Sequence, residues 1–378
     1  MGIFSDVLAG CLAAGSRHKL SIPRTIFGGI DISGNTLICG ATSGSISEES
    51  VHRLINNRFD RHFVRNERVV YITGSIDRVY ALYQHYGDNI TVLGHNRSFD
   101  PFEFCETYND ASFLLGSIIG NGHENAALRS WADIAVTLME MSRSPIGYDS
   151  FDEINDLLFT SADTDDFIAQ LHDSLGLTVS SSLRAGLFRL WRDLSSYQQF
   201  INRLGRQLGY LRTPAAQHNA HRQLVFYLPA SDSATVRTAL FAGLLLYCRS
   251  SAGGFSIICD NTELRKEITD IVGSFRVPFF IYSPVLPPDD ACRNVLLTNM
   301  LSFLCFSGLG GDDINRILGY FSSQTQAWLP SYNRFGFGVN RGMLPTLTAN
   351  DLLRLRDGQA MIYNKSRQRF VKCANCIS

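Results

Sequence analysis

The chain has 378 residues and a mass of 42.1 kDa, room for two or three folding units. Hydrophobic residues make up 45% and charged residues 18%, which excludes a disordered chain or a charged rod. The formal net charge of −1 excludes a global basic field for nucleic acid, although 30 of the 34 basic residues are arginine and only Lys19, Lys266, Lys365 and Lys372 are lysine.

No apolar run is long enough to span a bilayer. Thr238–Cys248 comes nearest; bounded by Arg237 and Arg249, it reads as a buried helix. The apolar start Ile3–Ala14 has no basic flank and is broken by Asp6, so no signal peptide is expected. Nine cysteines, most of them single within apolar stretches, read as small core residues of a reducing compartment, and the cytoplasm is the expected location.

In chain order, the strand-like runs are Thr36–Cys39, Arg68–Thr73, Ile90–Leu93, Gln223–Leu228, Phe255–Cys259, Pro278–Tyr282 and Leu301–Phe306. They are short, branched or aromatic and largely unalternating, as strands buried on both faces are. Between them Glu48–Asn57, Asp77–Tyr86, Leu128–Met141, Ser233–Arg249 and Glu263–Phe275 read as helices. This alternation predicts a doubly wound, mainly parallel α/β sheet. From Ser150 to Leu211 only helical spacing appears, with Ser150, Asp152, Thr164 and Asp165 as capping candidates. The expected division is a first part of the core over 1–149, an all-helical insertion over 150–212, and a second part over 213–378. The latter closes with a helix at Thr348–Leu355, a turn at Asp357-Gly358 and strands at Ala360–Tyr363 and Arg369–Cys373.

The segment Leu37–Ser50 carries the most chemistry. An apolar strand runs into Gly40, Thr42, Gly44, Ser45 and Ser47 and then a helix start, the local setting of a phosphate-cradling loop. A working G-x-x-x-x-G-K-[ST] loop also needs a lysine for the phosphates and a hydroxyl for Mg²⁺. Here Gly40 and Gly44 are too close, Ser45, Ile46 and Ser47 follow where lysine belongs, and Glu48 and Glu49 would repel a triphosphate. The chain contains no Gly-Lys pair, so the spacing favours an ordinary strand–turn–helix connection over a nucleotide site.

The order of elements resembles the type IV secretion coupling proteins, the TraG/TraD-like branch of the hexameric DNA-pumping ATPases. The matching features are the loop after the first strand, Asp100-Pro101-Phe102, the small-residue helix Asp110–Ile119, Trp131, the helical insertion and the closing run Leu347–Ala360. The resemblance implies a RecA-like P-loop fold with a Walker-B strand, here Phe255–Asp260, an activating glutamate after it, and a phosphate-sensing residue after the next strand. Asp260 is kept, but Asn261 stands where the glutamate belongs and cannot take a proton. Ser283-Pro284 stands where the sensing glutamine belongs. With the loop lysine gone as well, the expectation is a coupling-ATPase fold that no longer hydrolyses ATP.

Other motifs carry less. Cys373-x-x-Cys376 is half of a zinc or redox site without a second half, and His123-Glu124 lacks its partner at Ala127, so no metal is expected. Gly308-x-Gly310-Gly311 and Gly336-x-Gly338 fail dinucleotide spacing and read as turns. Arg184, Arg189, Arg192, Arg203, Arg206 and Arg212 alternate with Phe188, Trp191, Tyr197, Phe200 and Tyr210, a pattern for nucleic acid or a partner's acidic surface, or else a solvated helix face.

The expectation is therefore a catalytically inactive coupling-ATPase-like subunit of a conjugation or secretion apparatus. It would bind protein partners, take no cofactor, have no membrane span of its own, and meet the inner membrane only through other subunits. The alternatives are an active NTP-driven translocase using Arg53 or Arg58 at an atypical loop, and a nucleic-acid-binding module using the arginine patch.

Overall fold

Seven of the apolar runs lie side by side as parallel strands. They are β3 (Thr36–Cys39), β4 (Val69–Thr73), β5 (Thr91–Gly94), β6 (Gln223–Tyr227), β7 (Ser256–Asp260), β8 (Phe279–Ser283) and β9 (Ser302–Phe306). With β12 (Ala360–Asn364) and β13 (Arg369–Cys373) they form a nine-stranded sheet ordered β13-β12-β9-β3-β8-β7-β4-β6-β5, in which β12 runs antiparallel to both its neighbours. The computed structural model describes residues 26–27, 30–32, 34–41, 43–94, 101–119, 126–191, 223–228, 234–250, 254–260, 266–321, 324–333, 336–345, 347–365 and 369–373. β1 (Ile26–Phe27) and β2 (Ile30–Asp31) pair separately.

Strand periodicity explains why these runs show no polar alternation. Ile38, Val69, Tyr71 and Ile258 face one apolar layer, while Leu37, Cys39, Val70, Ile72 and Ile257 face the other. The first layer is closed by α1 (Ile46–Val64), through Val51, Leu54, Ile55 and Phe59, and by α2 (Ile76–Tyr86), through Val79, Leu82 and Tyr86. Each such side chain contributes about 1.5–3 kcal/mol on leaving water. Both helices begin at a serine, Ser45 and Ser75, whose hydroxyl accepts from the amide three residues on.

The second layer is helical from residue 101 to 191 apart from short connections and residues 120–125, which lie outside the described residues. Here α3 (Tyr108–Ile119) packs on α4 (Ala126–Ser142), followed by α5 (Tyr148–Thr160), α6 (Thr164–Leu175) and a helix over 181–191. Trp131 on α4 is buried, donates its indole N–H to Asn155 Oδ1 (3.0 Å) and meets Phe151 edge-on, which ties α4 to α5. Asp163, one residue before Thr164, caps α6 by accepting from the Asp165 and Asp166 amides. Continuing the layer are α7 (Ala234–Ser250), α8 (Lys266–Phe275), α9 (Asp290–Asn299) and α10 (Gly311–Tyr320). α7 is the buried helix expected around Thr238–Cys248, and no helix among the described residues is long and apolar enough to cross a membrane.

One expectation fails. Gly336-x-Gly338 is not a turn but the start of β11 (Gly336–Pro345), paired antiparallel with β10 (Gln324–Asn333) so that Gly336 faces Asn333 and Pro330 faces Val339. The glycines and Pro330 erase the alternation that marks a strand, and a two-stranded ribbon tolerates them because proline there need not donate to a second neighbour. After it α11 (Ala349–Leu353) starts at a Thr348/Asp351 capping box and hands the chain to β12 through Asp357-Gly358.

Candidate functional site

The carboxyl edge of the parallel strands is where an open α/β sheet binds ligands, and β3 leaves the sheet there at its middle. Gly40 and Ala41 take left-handed conformations (φ +83° and +68°), and so does Gly44 (φ +74°). The turn is stitched to both flanking strands: Gly40 N–H donates to Pro284 O after β8 (3.0 Å), and Ala41 N–H to Ser307 O after β9 (2.8 Å). A Cβ on Gly40 would lie 2.6 Å from Phe306 O, so only glycine fits.

Four of the amides that such a turn would offer to an anion already have acceptors. Glu48 Oε2 accepts from Gly44 N–H (2.6 Å), and Ser45 Oγ from Glu48 N–H (3.1 Å). From the far end of the sequence, Asp357 Oδ2 accepts from Ile46 N–H (3.0 Å) and Oδ1 from Ser47 N–H (2.9 Å) and Ser47 Oγ–H (2.8 Å). Gly358 N–H donates back to Ser47 Oγ (2.8 Å). The hydroxyl and amide of Ser47, with the Ile46 amide, hold the Asp357 carboxyl below its ordinary range. The carboxylate thus sits at the positive end of a 19-residue helix.

One strand away lies a second charged centre. β8 separates β3 from β7, and Asp260 at the end of β7 is fully buried. Tyr71 on β4 donates its hydroxyl to Asp260 Oδ2, and so does Arg78 Nε on α2 (2.5 Å). The other arm of Arg78 reaches Asn56 Oδ1 (2.7 Å) on α1 and Tyr71 Oη (3.3 Å). His52 Nε2, also on α1, is 3.6 Å from Asp260 Oδ1, and neither of these two atoms makes a hydrogen bond among the described residues. Burial pushes the Tyr71 hydroxyl well up, with Asp260 adding to it; burial pulls Arg78 down, but Tyr71 and Asp260 outweigh this and raise it. A buried carboxylate matched by a guanidinium and a phenol is an internal charge network, here satisfied at Oδ2, with Oδ1 left beside His52.

Burial lowers His52 below 6.5, and Asp260 only partly offsets it. The unfolded chain therefore takes up this proton before the folded one, so stability falls as pH drops below 6.5. Thermal melts from pH 7.5 to 5 should show this slope, and His52→Gln should flatten it; an unchanged slope in that variant would refute the assignment.

No protein-family model and no curated protein sequence matches this chain. Solved structures do. The unbound monoclinic form of the bacterial conjugative coupling protein TrwBΔN70 aligns at a TM-score of 0.60 and 13% identity, over 93% of this chain and 88% of that one. The chain has the P-loop NTPase fold of TrwB. TrwB bound to the GTP analogue GDPNP aligns at 0.55 and 13% over 90% of this chain and 85% of that one. VirB4 of Thermoanaerobacter pseudethanolicus aligns at 0.51 and 12%, over 90% of this chain and 88% of that one. At such identity the likeness carries the fold, and function must be argued from the site's own residues.

The structure gathers Gly40, Gly44 and Ser45 into one turn with Ser47 in the first turn of α1, places Asp260 beyond the next strand, and leaves Ser283 at the end of β8 with its hydroxyl on Val285 O (2.8 Å). Thr42 and Asn261 lie outside the described residues. Arg53 pairs with Glu49 at 3.2 Å. Of the arginine patch, Arg184 and Arg189 are exposed on the 181–191 helix; Arg184 pairs with Asp165 (2.5 Å) and lies over the exposed Phe188 ring. Arg192, Arg203 and Arg206 lie outside the described residues, as does Cys376, while Cys373 is buried on β13. Asp357, Arg78, Tyr71 and His52 were not singled out by sequence; only the Asp-Gly turn at 357–358 hinted at the first.

Proposed function

We propose that the chain is a coupling-ATPase-like subunit of a conjugation or secretion apparatus that has given up ATP hydrolysis and acts by binding a partner. One observation carries this reading: Ile46 stands where the phosphate lysine belongs, and the amides of Ile46 and Ser47 are taken by Asp357. TrwB has been solved with ADP and Mg²⁺. Here the Ser47 hydroxyl donates to a carboxylate, and the Walker-B-like Asp260 is neutralised by Arg78. Both charges that ATP and Mg²⁺ would supply at such positions are supplied by the chain itself. In this reading the segment 150–212, with Arg184 and Arg189 exposed on the helix over 181–191, is the module that meets a protein partner, and the α/β core is its support.

The test is titration of the full chain with ATP and Mg²⁺ in a calorimeter, followed by assay of released phosphate. No saturable heat and no turnover is the expected result. Micromolar binding with steady phosphate release would overturn the reading.

A further inference from the structure

We infer that Asp357 is an autoinhibitory latch: a tethered carboxylate that closes the loop after β3 to free oxyanions and fastens the C-terminal β12–β13 hairpin to the start of α1. This inference deepens the proposed function, resting on its reading of that loop as a former phosphate cradle.

The contact is reciprocal. Asp357 takes the Ile46 amide and both the amide and the hydroxyl of Ser47, and the next residue, Gly358, returns an amide to the same hydroxyl. Gly358 reaches it in a left-handed conformation (φ +76°) directly beneath Ile46, whose Cγ2 would lie 3.1 Å from a Cβ at that position. A side chain at 358 would therefore be strained and crowded, so the turn is shaped for this docking. Ile46 supplies no charge to attract a competing anion and instead covers the turn.

The latch is also connected. Asp357 lies between α11 and β12, β12 pairs with β9, and β9 pairs with β3, from which the loop springs. Ser307, at the end of β9, accepts from Ala41 N–H and holds its hydroxyl 3.4 Å from Ser47 Oγ. Loop and hairpin are thus joined through the sheet behind and through the carboxylate in front, and the second link has two exposed partners, Asp357 and Ile46, beside the buried Ser47. An arriving oxyanion must break three hydrogen bonds to one carboxylate, and charge-assisted bonds are the stronger kind. Release of the latch frees the three donors, while β12 stays paired with β9.

Inorganic pyrophosphate is the probe. Wild-type chain, Asp357→Ala and Asp357→Asn are titrated with it, and amide hydrogen exchange is followed at Ile46 and Ser47. We expect no saturation for the wild type, affinity at least about tenfold higher in the alanine variant, and exchange of both amides faster by a similar factor, as loss of charge-assisted bonds to two amides implies. Equal pyrophosphate affinity in wild type and variants would overturn the latch, as would unchanged exchange at both amides. Should the alanine variant not fold, the asparagine variant, which keeps the shape and loses the charge, carries the same comparison. ATP turnover by the wild type would end the proposed function without deciding this comparison, so the two ideas fail separately.

Discussion

Arg78→Ala should cost about 3–5 kcal/mol of folding stability, because it leaves a buried carboxylate without its counterion. Asp260 has no exposed surface, and the Arg78 side chain itself is 13% exposed, so water does not readily replace the guanidinium. The variant also removes the tie to Asn56, by which α2 holds α1. Urea denaturation measures the loss, and a change below about 1 kcal/mol would refute the network, since surface pairs are worth that little. The double variant Arg78→Ala with Asp260→Asn should recover a large part of the loss, because the uncompensated charge is then gone. The imidazole of His52 offers a second readout. Arg78 helps to depress it, so in the single variant it should titrate closer to the ordinary histidine range.

Gly40→Ala should cost about 2–4 kcal/mol, the sum of left-handed strain and a backbone clash. Its Cβ would press on Phe306 O at 2.6 Å, and the amides on either side of that contact are fixed to the strands beside it. Gly44→Ala is the matched control, since Gly44 has the same left-handed φ but no atom within 4 Å of a Cβ. It should lose only about 1–2 kcal/mol. Equal losses in the two variants would refute the close approach as the reason for Gly40.

The core was legible because its strands are buried on both faces. Val69–Thr73 and Phe279–Ser283 show as apolar runs whatever their neighbours, and observed boundaries fall within a residue or two of the expected ones. Leu37–Ser50 was legible as a strand, turn and helix for the same reason, with Ser45 marking the helix start. The charge network was not legible, since its pairs are distant in sequence: Asp357 and Ser47 are 310 residues apart, and Arg78 and Asp260 are 182 apart. Nothing local distinguishes Arg78 from the arginines of α1, or Asp357 from any Asp-Gly turn. The β10–β11 ribbon was missed because glycine and Pro330 interrupt the pattern that marks a strand.

α1 is gripped at two heights. Ser47 is held near its tip by Asp357, and Asn56 is held by Arg78 nine residues further on, about 13.5 Å along the axis at 1.5 Å per residue. A twist or slide that eased the upper grip would strain the lower one. The helix therefore behaves as a bolt through the slab rather than a piston. Opening of the Asp357 contact then falls to the exposed Asp-Gly corner, which can swing away while the bolt stays still.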